Sequence, residues 1–124
     1  MDEAKKIAQR WINRWSSPAG QKTPEAEADD SWFELPKENP ELCYIVILHV
    51  LKSVAADPAN SVFRHLAAGP LEDLLATHGS LLIERIETEA RRNPTFNLLL
   101  GGVWQNTMTP QIWGRIQAAR LKVW

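Results

Sequence analysis

Asn39-Pro40-Glu41-Leu42-Cys43-Tyr44-Ile45-Val46-Ile47-Leu48-His49-Val50-Leu51 is the stretch that decides the fold. It opens with a proline after an asparagine. Proline suits the first position of a helix, where its missing N–H would have no partner anyway, and the Asn side chain can accept from the next free N–H groups. The residues after Glu41 are apolar almost all round, which places a helix from Pro40 to about Ala55 in the centre of a domain. Four other prolines follow Asp57, Gly69, Asn93 and Thr109, and each predicts a further helix start, at Pro58, Pro70, Pro94 and Pro110.

Working outward, Ala4, Ile7, Ala8, Trp11, Ile12 and Trp15 form one stripe at helical spacing. After the central helix come a short helix carrying Val62, Phe63 and Leu66, and another carrying Leu71, Leu74 and Leu75 with Gly79 as its C-cap. Leu82, Ile83, Ile86 and Ala90 define a fifth helix, Phe96 to Trp104 a sixth, and Ile112, Ile116, Ala119 and Val123 the last. Strand signals are nearly absent. The expected fold is all-α, a compact stack of six to seven short antiparallel helices, loosely like helical-repeat proteins.

The segment from about 16 to 37 reads as a mobile acidic connection within a single domain spanning 1–124. It holds Glu25, Glu27, Asp29, Asp30 and Glu34, and no basic residue from Thr23 to Pro36, with Trp32 and Phe33 as apolar pins. Net charge is −1 over 124 residues, so no overall basic field draws the chain to nucleic acid. The charge is uneven: residues 1–62 carry seven basic and ten acidic side chains, and residues 63–124 seven basic and five acidic. The single cysteine, Cys43, forbids an internal disulfide and reads as an inert core thiol. The N-terminal residues lack the apolar core of a signal peptide, and the longest apolar run is about half a membrane span, so a cytoplasmic protein outside the membrane is expected.

Two patterns could carry chemistry. His65, Glu72, Asp73 and His78 fall within fifteen residues and could form an acid–base pair or a metal site. Helix capping explains them more cheaply: Glu72 and Asp73 would sit in the first turn after Pro70, and His78 in the last turn before Gly79, where each complements the helix dipole. No catalytic residue, metal ligand or cofactor is therefore assigned. The other pattern is a set of tryptophans. Trp11, Trp15 and Trp104 read as core, whereas Trp32, Trp113 and Trp124 lie off their stripes; with Arg115 and Arg120 they have the character of binding anchors.

The run Gly69-Pro70-Leu71-Glu72-Asp73-Leu74-Leu75, then His78-Gly79, Asn93-Pro94 and Val103-Trp104 resembles a small bacterial family of all-α proteins of unknown function, over about residues 62–116. The resemblance implies a bacterial origin and transfers no functional residue. Small proteins of this kind are often encoded near secreted toxins, which brings an immunity role into view.

The residues thus point to a non-catalytic protein-binding module, an immunity or adaptor protein. Its partner would be another protein, such as a basic toxin, met either by Glu25, Glu27, Asp29, Asp30, Trp32 and Glu34 or by Trp113, Arg115, Arg120 and Trp124. The alternatives are a small enzyme or metal protein using the His65–His78 region and a nucleic-acid binder using the basic C-terminal helix.

Overall fold

The computed structural model describes residues 2–16 and 31–124. Seven α-helices occur among the described residues, with no strand: α1 (Asp2–Ser16), α2 (Ser31–Glu38), α3 (Pro40–Ser53), α4 (Ser61–Leu66), α5 (Glu72–Arg92), α6 (Pro94–Leu100) and α7 (Pro110–Ala119). A π-helical segment, Ala67–Leu71, joins α4 to α5. Helix α3 packs on α1, α2, α5 and α6, the central place its composition predicts. Ile47 and Val50 are fully buried there, and Phe63, Leu74, Ile86, Phe96 and Ile116 close the core from the other helices.

Three of the five proline starts are as expected. Asn39 accepts from the Leu42 N–H at 3.1 Å, Asn93 from Thr95 and Phe96, and Thr109 Oγ1 from Ile112, each just ahead of a proline at the helix entrance. Pro58 is different. Asp57 turns the chain by accepting from the Ala59 N–H, and the helix begins three residues later at Ser61, capped by Asn60.

Pro70 stands two residues before the start of α5 at Glu72, but the chain is already helical there. It lies inside a helical path that runs from Ser61 to Arg92. A proline there has no N–H to donate and crowds the carbonyl four residues back. Widening one turn accommodates it: the Glu72 N–H reaches the Ala67 carbonyl, five residues earlier. The helices expected on either side of Gly79 are likewise one element, with a local departure from helical geometry at His78 (φ −132°, ψ 28°). Gly79 is no C-cap. It lets α7 approach, since a Cβ there would stand 3.0 Å from Ile112.

Part of the expected acidic connection is a helix instead: Ser31–Glu38 is helical and packs on α5. Its remainder, with Glu25, Glu27, Asp29 and Asp30, lies outside the described residues. Trp104, expected in the core, is 64% exposed.

Candidate functional site

Trp11, Arg14 and Trp15 share one face at the C-terminal end of α1, because they are spaced by three and four residues. The π turn sets Ala68, Gly69 and Pro70 opposite them, α4 supplies His65, and the start of α5 supplies Asp73. Together they line a cavity of about 160 Å³. The His65 ring stacks on Trp15 at 3.8 Å and 14°, and its Nδ1–H donates to the Ser61 carbonyl at 2.7 Å. Because a carbonyl only accepts, this bond fixes the proton on Nδ1 in the neutral ring and leaves Nε2 as the acceptor. The Arg14 guanidinium carbon lies 5.3 Å from the Trp15 ring centre, within cation–π range.

Two polar groups of this cleft are left over. The Trp15 indole N–H is buried without an acceptor among the described residues. The Asp73 carboxylate is half-buried, and no described residue donates a hydrogen bond to it or forms an ion pair with it. Burial holds Asp73 above the ordinary carboxylate range, partly offset by the charge of Lys37. Cys43 is 1% exposed; burial, with the negative charge of Asp73, pushes its thiol up to about 12, which removes it as a nucleophile at neutral pH.

A family model, Family of unknown function (DUF6869), matches residues 14–123. The chain belongs to that family. The match is wider than the 62–116 expected from the resemblance and takes in the C-terminal edge except Trp124 and the cleft except Trp11. No curated protein and no solved structure shows a significant match to the chain.

The structure does not bring His65, Glu72, Asp73 and His78 together. Only His65 and Asp73 reach the cleft. The carboxylate of Glu72 turns to the loop after α6, accepting from the Trp104 N–H at 2.8 Å and from Asn106 Nδ2 at 3.2 Å. His78 Nε2 donates to the Lys37 carbonyl at 2.9 Å and so ties α2 to α5. Nor does the dipole account fit Glu72: helix α5 has no free N-terminus there, its N–H being already given to Ala67. Among the described residues no group of three or more His, Cys, Asp or Glu side chains could hold a metal ion.

The second candidate surface is spent on the fold. Arg115 makes a two-pronged ion pair with Glu87. Arg120 lies over Trp113 at 4.9 Å and donates to the Val103 carbonyl at 3.0 Å; burial lowers its pKa. Trp124 stacks on Phe63, its indole N–H gives a 2.6 Å bond to the Leu98 carbonyl, and its backbone N–H bonds to the Gly101 carbonyl. It is a structural anchor and not an exposed hot spot. The pair Gly101-Gly102, which begins no phosphate loop, is the seat of this ring: a Cβ on Gly101 would lie 2.8 Å from Trp124 Cδ1. Of the acidic candidates, Glu34 is exposed in the first turn of α2, and Trp32 belongs to the same helix.

Two buried polar residues are not evident from the sequence patterns. Asn97 donates to the Ala90 and Ala119 carbonyls and accepts from the Leu121 N–H, which pins α5, α7 and the C-terminal residues to α6. Glu89 accepts from Arg92 and Asn93; burial alone would raise its pKa, but the bonds from Asn93 and Arg92 outweigh it and lower the value. A lone asparagine inside Phe96–Leu100 is the available signal for the first, since an amide in an apolar run needs partners.

Proposed function

We propose that the protein is a non-catalytic module that binds another protein, an immunity or adaptor protein, and that it does so on its acidic side. The contact surface in this reading is the segment 23–36 together with the cleft at the end of α1. One observation carries it: Asp73 stands half-buried and unmatched by any described residue in an indole-walled cleft, while Arg115, Arg120 and Trp124 are all engaged within the fold. In sequence, Glu25, Glu27, Asp29 and Asp30 lie between α1, which ends at Ser16, and α2, which packs on the π segment. A basic partner fits this charge, and a toxin that acts on an anionic substrate is such a partner. The acidic side chains would speed encounter by steering, and the cleft would hold the arriving group. The nucleic-acid alternative loses its support where Arg115 is paired with Glu87 and Arg120 is bound to carbonyls.

The test is affinity capture from the native host with three baits: wild type, the quadruple reversal E25K/E27K/D29K/D30K, and Arg115→Ala. A basic protein held by wild type and Arg115→Ala but lost from the reversal supports the reading. A partner lost only with Arg115→Ala moves the contact to α7 and overturns it.

A further inference from the structure

The cleft at the end of α1 has a size, an aromatic wall and an unmatched carboxylate, and these together specify an occupant. About 160 Å³ is well below the ~300–1,000 Å³ that drug-sized ligands and cofactors need. It suits the end of one side chain. The walls are indole and proline; the Trp15 ring itself already carries His65 at 3.8 Å and the Arg14 guanidinium at 5.3 Å. Asp73 offers two acceptor oxygens that no described residue uses. Acceptors beside an aromatic wall call for a flat cation rich in N–H groups. A guanidinium is planar, stacks on indole and pairs with a carboxylate through two parallel bonds, whereas an ammonium is a compact, strongly hydrated point charge.

We infer that the cleft is an arginine pocket: a single arginine side chain of the partner enters between Trp15 and Gly69-Pro70 and pairs with Asp73. This rests on the binding-module reading above, and it adds which residue of the partner is recognised and where. The acidic segment supplies attraction at a distance; Asp73 supplies selection between arginine and lysine.

The experiment uses peptides and needs no knowledge of the partner. The full chain, labelled with ¹⁵N, is titrated with a short neutral peptide carrying one arginine, and with the same peptide carrying lysine or citrulline. The Trp15 indole N–H resonance, assigned by Trp15→Phe, reports the cleft. The arginine peptide is expected to shift it saturably, the lysine peptide to bind ~10-fold more weakly, and citrulline, which keeps the shape without the charge, not to bind. Asp73→Asn should weaken the arginine peptide ~10-fold or more. Gly69→Ala is the second variant: its Cβ would stand 3.6 Å from Trp11, an ordinary contact, so the fold is kept while the cleft narrows, and binding should weaken severalfold. Equal response to arginine and citrulline, or full affinity in Asp73→Asn, overturns the pocket. A positive titration combined with failure of the charge-reversal capture would leave the pocket standing and remove only the acidic partner surface.

Discussion

At the C-terminal edge, Asn97, Arg120 and Trp124 give their polar hydrogens to the carbonyls of Ala119, Val103 and Leu98; at the end of α1, among the described residues, the Trp15 N–H has no acceptor and the Asp73 carboxylate no donor. Both regions are rich in tryptophan and charge, and in the sequence they look alike. The difference lies in whether each polar atom is matched. A matched network holds a fold together, since breaking any bond strands a partner in a poor solvent. An unmatched carboxylate in an aromatic cleft costs stability, and it is where an incoming ligand gains most.

On this contrast, the largest losses of stability belong to the matched edge. Asn97→Leu strands the Ala90 and Ala119 carbonyls and the Leu121 N–H, and should cost about 3 kcal/mol in urea unfolding. Gly102→Ala drives a methyl group into the Trp124 ring and should cost about 2 kcal/mol. Combined with Trp124→Ala, its effect should largely vanish, because both changes act on one contact. Glu72→Ala releases the Trp104 N–H and Asn106 at an exposed position and should cost about 1 kcal/mol.

The smallest effect, and one of opposite sign, belongs to the cleft. Burial raises the folded-state pKa of Asp73 above its ordinary 3.8. The folded chain therefore holds this proton more tightly than the unfolded chain. The stability this contributes is complete below the unfolded pKa and is lost as pH rises through the raised value. At neutral pH Asp73→Asn should leave stability unchanged or raise it by less than about 0.5 kcal/mol, and it should remove that loss from the acid limb of a stability–pH curve. A clear destabilisation at pH 7 would mean that Asp73 has a structural partner and would erase the contrast.

Legibility from residues alone depends on how local each feature is. Helix starts at Pro40, Pro94 and Pro110 are readable because cap and proline are adjacent in sequence and act locally. Pro70 misleads because a π turn absorbs the missing N–H without ending the helix, and only the Glu72–Ala67 bond reveals it. The core stripe of α1 is readable from spacing. The exposure of Trp104 is not, since it depends on Glu72, thirty-two residues away, holding the loop's backbone. Asp73 stands out in the sequence for the wrong reason, a helix dipole, and its actual setting depends on α1, α4 and the π turn meeting at one corner.

In the proposed function, the acidic side meets the partner. The most direct measurement is the association rate of the captured partner with wild type and with E25K/E27K/D29K/D30K, by stopped flow across ionic strength. The account predicts a fast wild-type rate that falls steeply with salt, and for the reversal a rate at low ionic strength at least ~10-fold slower, converging with wild type at high salt. Equal rates for the two proteins at low ionic strength would contradict it.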